Sequence, residues 1–120
     1  MHPANLALRF ALELAALAGV GWLVWGATQG WLRPVAAVLT AATVGTLWTV
    51  FNVPGDPSRS GAAPVTVPGI VRLVLELAIL LGGALAWHLA GHSAIGATVA
   101  TLVVLHYALS TGRIAWLLSQ

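Results

Sequence analysis

The sequence predicts an all-α membrane protein: a four-helix transmembrane bundle in up-down-up-down order, built from two parallel two-helix repeats. Three observations lead there. Of 120 residues, 59% are hydrophobic and only 7% charged, whereas a soluble domain carries roughly a quarter charged residues. The mean hydropathy is +0.93. The apolar residues fall in blocks of about twenty, long enough to cross a hydrocarbon core of about 30 Å. At this length a single domain over residues 1–120 is expected.

The first span runs over about 6–28 and ends at Thr28-Gln29-Gly30, with Trp25 and Trp31 at the depth of lipid headgroups. Arg9 and Glu13 interrupt its start, so it reads as mature sequence and not as a secretory signal. Arg33-Pro34 opens a second span, 33–52, with proline in a helix-starting position. Residues 53–68 hold Pro54, Pro57, Pro64 and Pro68 beside Asp56 and Arg59, and read as a mobile linker. A third span, 69–90, closes at the reversal Gly91-His92-Ser93, and a fourth covers 94–118.

Arg9, Arg59, Arg72 and Arg113 lie on the side of the two termini and the middle loop, against Arg33 alone on the other. By the positive-inside tendency that side is cytoplasmic, in a bacterial inner membrane. The isoelectric point near 10.6 rests on five arginines, no lysine and three acids. So few charges serve topology and lipid contact; a nucleic-acid surface needs a dense basic patch. With no cysteine, disulfides, thiolate metal sites and thiol redox chemistry are excluded.

The segment from Arg9 to Gly19 aligns without gaps with that from Arg72 to Gly82, with seven identities in eleven positions. Repeats two spans long enter the membrane in the same direction, which predicts a pseudo-two-fold axis along its normal. The similarity fades in the second helix of each half.

The Arg-x-x-x-Glu-Leu starts at Arg9 and Arg72, together with Trp48-x-x-Phe51-x-x-Pro54, resemble the YrdB-like family of small bacterial membrane proteins. The resemblance covers most of the chain. It implies the helical membrane fold and, since the family has no established activity, leaves function open.

Glu13 and Glu76 are the first candidates for chemistry. Each lies about 10 Å inside its helix, where a carboxylate must be paired or neutral. Arg9 and Arg72 precede them by four residues, on the same face. One reading makes these structural ion pairs; the other needs a glutamate that exchanges its arginine for a proton or a ligand. His106, placed near the middle of the fourth span, begins a stripe through Ser110 and Arg113 that could carry protons or simply bond helices together. Gly45, Trp48, Thr49 and Asn52 form a comparable stripe on the second span, where Trp48 is also a natural interfacial anchor. His88 and His92 have the i, i+4 spacing of metal ligands. Both sit at the external end without a carboxylate or cysteine, so no metal site and no cofactor are expected.

No P-loop, dinucleotide fingerprint, His-Glu-x-x-His or serine-triad pattern occurs. Three classes remain: a small transporter or ligand-binding membrane protein, an accessory or structural membrane protein, and a membrane enzyme acting on a lipophilic substrate. Three arginines against two glutamates favour an anionic small molecule or lipid headgroup over a free cation. Small-residue positions Gly19, Gly26, Gly82 and Gly83 permit close helix contact and a homo-oligomer. If the Arg-Glu pairs are purely structural, replacing Arg9 with Glu13, or Arg72 with Glu76, by apolar residues should leave a stable protein.

Overall fold

The computed structural model describes residues 2–120. The described chain is mostly helical: α1 (Pro3–Ala27), α2 (Leu32–Val50), α3 (Gly69–Leu89), α4 (Ser93–Ala108) and α5 (Thr111–Leu118). His2 caps α1 by accepting the Ala4 N–H on its Nδ1 at 3.0 Å, and Pro3 follows in the first turn. Gly30, at φ +61°, and Gly91, at φ +92°, make the reversals after α1 and α3 in the left-handed region that glycine tolerates.

α1 and α3 form the centre and run parallel. Arg9 meets Glu76, Ala16 meets Gly83, and Trp87 donates its indole N–H to the Ala15 carbonyl at 2.9 Å. A Cβ on Gly83 would stand 2.5 Å from the Ala16 Cα, so the two backbones touch there. Gly19 is in the same seam, facing the Gly83 carbonyl, whereas Gly26 and Gly82 have open space around them. α2 packs against α1 in the opposite direction, and α4 likewise against α3, through Gly96 on the Ala84 carbonyl. The apolar core is Leu12, Ala16, Trp48, Leu80, Ala84, Val99, Val103 and Tyr107.

Two expectations change. The segment 94–118 is not one helix: α4 and α5 meet at a 72° bend. At the break the Ser110 N–H bonds the Tyr107 carbonyl at 3.0 Å and its Oγ takes the His106 carbonyl at 2.7 Å, so the helical ladder is interrupted there. His106 therefore lies two residues from the end of α4, not in the middle of a span. The second change concerns 53–68, expected as a mobile linker. Phe51–Asn52 (β1) pairs in parallel with Val65–Thr66 (β2), and Val53 and Asp56 are buried. The prolines do prevent helix here, but the segment is tied to α5 by Asp56, which pairs with Arg113.

By length and composition, α1 and α3 are each able to cross a membrane, and α4 with α5 make a third if the bent pair counts as one span. The burial pattern is inverted relative to a water-soluble protein. Among the described residues, nine polar or charged ones are buried beside eleven hydrophobic ones, and twenty-two large hydrophobic side chains are exposed.

Candidate functional site: an arginine-carboxylate cluster

Four helices and the 53–68 segment converge on Glu76, which is 0% exposed. Its carboxylate accepts six hydrogen bonds. On Oε1 they come from Arg9 Nη2 at 2.6 Å, Arg72 Nε at 3.0 Å and Arg113 Nη2 at 2.6 Å. On Oε2 they come from Arg113 Nη1 at 2.8 Å, Tyr107 OH at 2.9 Å and Arg9 Nη1 at 3.4 Å. An ionised carboxylate offers about four lone-pair positions, so no acceptor is left for a proton. The arginine fork of Arg113 also grips Asp56, through Nε on Oδ1 at 3.0 Å and Nη2 on Oδ2 at 2.6 Å. The bend at Ser110 brings this about, because it turns α5 across the foot of α3.

Arg72 spends its remaining reach on the open end of α2. Its Nη1 donates to the carbonyls of Trp48 at 2.6 Å and Phe51 at 2.9 Å, which have no helical partner there. The Trp48 ring receives the guanidinium groups of Arg72 at 4.7 Å, Arg9 at 4.9 Å and Arg59 at 5.9 Å. A single indole thus lines up three positive charges against its π system.

Asp56 lies outside the apolar helices. Burial pushes its carboxyl up, but the Arg113 hydrogen bonds, the Ser58 N–H and the Arg113 charge outweigh that and hold it below the usual value. Ser58 also donates its hydroxyl to Asp56 Oδ1 at 2.8 Å.

A neutral branch adjoins the cluster. His106, also 0% exposed, bonds Asn5 Oδ1 through Nδ1 at 2.7 Å. Asn5 Nδ2 donates to Ser110 Oγ at 2.7 Å, so its Oδ1 is the acceptor and His106 Nδ1 carries the proton. The lone pair is then on Nε2, which is buried with no hydrogen-bond partner. The hydrogen bond of His106 leads to Asn5 at the start of α1 and not to Glu76, so of the two readings of the stripe the structure contains the bond between helices.

Of the residues singled out in the sequence, Arg9, Trp48, Arg72, Glu76 and Arg113 form one unit, and His106 with Ser110 abut it. Glu13 does not match Glu76. Its side chain is 23% exposed and stands 3.6 Å from Arg9 Nε, beyond hydrogen-bond reach. Arg9 turns to Glu76 on α3 instead, the same carboxylate that Arg72 meets from four residues away, and no Arg72–Glu13 pair is made among the described residues. Asn52 is buried in β1 and donates to the Thr49 carbonyl at 2.5 Å, outside the cluster.

Sequence reasoning missed Asn5, Asp56 and Tyr107. The signal for Asp56 was present: it is one of three acids in a chain with five arginines, and a buried arginine needs one. His88 and His92 do not share a helix face, because α3 ends at Leu89. His88 Nδ1 pairs with Ser93 Oγ at 2.9 Å, and Trp22 donates to His92 Nε2 at 3.2 Å. Among the described residues, no group of three histidine or acidic side chains could hold a metal ion.

A family model described as a protein of unknown function, DUF2568, matches residues 7–104. The uncharacterized protein YrdB of Bacillus subtilis (strain 168) is 38% identical over 120 residues, covering 100% of this chain and 98% of that protein. No solved structure matches the chain. The family match runs from within α1 through most of α4, and the likeness to YrdB takes in α5 as well, so the chain belongs to the DUF2568, YrdB-like family of proteins of unknown function.

Proposed function

We propose that this chain is a non-catalytic, accessory membrane protein in which the arginine-carboxylate cluster locks four spans, the 53–68 segment and α5 into one arrangement. The saturation of Glu76 carries this reading. A carboxylate with six donors, three on each oxygen, is built to stay ionised and in place; an acid, a base or a proton carrier needs an oxygen that can change partners.

The inverted burial supports the membrane setting. α2 carries four threonines that lower its hydropathy, yet Thr40, Thr43, Thr46 and Thr49 each donate to the carbonyl four residues back, at 2.8, 2.8, 2.7 and 3.0 Å. Hydroxyls satisfied within their own helix are compatible with lipid. α4, about 24 Å long at 1.5 Å per residue, enters from the far side, and α5 then lies along the cytoplasmic interface with Arg113 and Leu117 turned inward. Both termini are cytoplasmic in this arrangement, which belongs to a bacterial inner membrane.

The test uses the absence of cysteine. Single cysteines placed at Gln29, Gly61, His92 and Gln120 are exposed to a membrane-impermeant maleimide in whole cells and after lysis. Labelling of 29 and 92 in whole cells, and of 61 and 120 only after lysis, is expected; any other pattern overturns the four-span arrangement.

A second reading, ligand binding or small-molecule transport, draws on one observation: Glu13 is partly exposed in a groove between helices. With four arginines against three carboxylates around it, the occupant would be anionic. Strong binding of a cationic drug by the wild type, lost in Glu13→Gln, would sink that preference. Since four helices enclose little space, a transporting form would be a homo-oligomer.

A further inference from the structure

Glu13 is the one acidic side chain that no donor holds. It is 23% exposed and Arg9 Nε stands 3.6 Å away, so among the described residues none of the roughly four lone-pair positions of its carboxylate accepts a completed hydrogen bond. The Trp48 indole N–H is turned toward it and sealed from solvent, but completes no bond either. Arg9, Arg72 and Arg113 are committed to Glu76.

Glu13 lines a groove of about 160 Å³ between α1, α2 and α3, and is the only charged residue on its wall. Leu17, Val44, Gly45 and Ile79 make its apolar part; Leu17 lies one turn, about 6 Å, deeper along α1 than Glu13. The Thr49 hydroxyl, also on the wall, is spent on the carbonyls of Gly45 at 3.0 Å and Thr46 at 3.2 Å. The groove therefore presents an acceptor and no free donor. An unpaired acceptor over apolar surface calls for a donor, and charge decides which kind. An anion would face the carboxylate. A cation would join Arg9, Arg59 and Arg72, whose charges already act on Glu13. A neutral hydroxyl meets neither repulsion. The volume, below the about 300 Å³ at which drug-sized pockets begin, suits one slim chain.

We propose that this groove binds a neutral lipid alcohol of the diacylglycerol type, with its hydroxyl donating to Glu13 and one acyl chain along Leu17, Val44, Gly45 and Ile79. Glu13 lies about 10 Å inside its helix, below the headgroups, where a lipid with a bare hydroxyl and no phosphate places its polar end. This rests on the membrane reading above and not on transport, and in this groove it takes the place of the anionic occupant of the second reading.

The test uses the full chain, purified in detergent and delipidated. Dioleoylglycerol and its acetate ester, which keeps both chains and lacks the hydroxyl, are added in turn and bound lipid is counted by native mass spectrometry. The wild type should retain the alcohol about tenfold better, the worth of one hydrogen bond to a charged acceptor. Glu13→Leu should bring the two lipids to parity. Glu13→Gln, which keeps an acceptor without the charge, should leave a preference of about threefold. Gly45→Leu should lose both lipids. A Cβ there meets only Leu17 Cδ2 at 4.0 Å, so the helix tolerates the change while the side chain fills the trough. Equal retention by the wild type, an unchanged preference in either Glu13 variant or full retention in Gly45→Leu each overturns the proposal. So does tighter retention of hexadecyltrimethylammonium, which would make this a cation site, or of dioleoylphosphatidic acid, which would make it an anion site. Failure of the membrane reading is seen separately, in the maleimide pattern, before any lipid is added.

Discussion

Glu13→Gln and Glu76→Gln are the same change in two matching Arg-x-x-x-Glu-Leu stretches, and the structure makes their consequences unequal. Glu76→Gln removes the charge that three buried guanidiniums share and puts an NH2 donor where one carboxylate oxygen accepted three hydrogen bonds. Asp56 still engages Arg113, but Arg9 and Arg72 keep no fully buried anion. Breaking a buried pair from one side costs about 3–5 kcal/mol. Glu13 is partly exposed and its arginine lies at 3.6 Å, so Glu13→Gln should cost within about 1 kcal/mol. Both variants would be unfolded reversibly with sodium dodecyl sulfate in mixed micelles, following helicity by circular dichroism. Equal losses, or a larger loss for Glu13→Gln, would refute the assignment of Glu76 as the single hub.

Further changes test other parts of the cluster. Replacing Arg72 and Glu76 together by apolar residues, harmless if each helix carried its own pair, should destabilise the protein by several kcal/mol, because Arg9 and Arg113 lose the anion they share; the same unfolding assay decides it. Tyr107→Phe removes one hydrogen bond to a charged group and should cost about 1.5–3 kcal/mol, with helicity unchanged. Asp56 has its pKa lowered on folding, so its contribution is complete above the ordinary aspartate value of about 3.9 and is lost as pH falls through the lower folded value. Protection from hydrogen exchange in 53–68, taken relative to the intrinsic rate at each pH, should therefore fall on acidification below pH 4, and Asp56→Asn should show that lower protection already at neutral pH. Gly83→Ala drives a methyl group into the Ala16 backbone and should cost about 1–3 kcal/mol, whereas Gly82→Ala, with nothing around it, should be neutral or slightly stabilising.

What could be read from the sequence, and what could not, separates by the range of the interaction. Hydropathy and the Gly/Pro punctuation act locally, and they located α1, α2 and α3 to within a few residues. The charge pattern was also legible as a set, since an arginine or glutamate inside an apolar helix has to meet a partner. Which partner it meets is a matter of helix rotation and depth, and these are decided by packing. Arg9 has Glu13 four residues away on its own helix, yet it bonds Glu76 because the Ala16–Gly83 contact sets α1 against α3 with a shift of about one turn. The bend after α4 was hidden for a related reason. No proline marks it, and Ser110 and Gly112 are tolerated inside many membrane helices; what holds the bend is Arg113 reaching Asp56, more than fifty residues away. Two Arg-x-x-x-Glu-Leu stretches occur in the sequence, yet only one of them is central: α5 and the 53–68 segment contribute Arg113 and Asp56 on the α3 side, and once Glu76 is surrounded, Glu13 is left at the rim facing the groove.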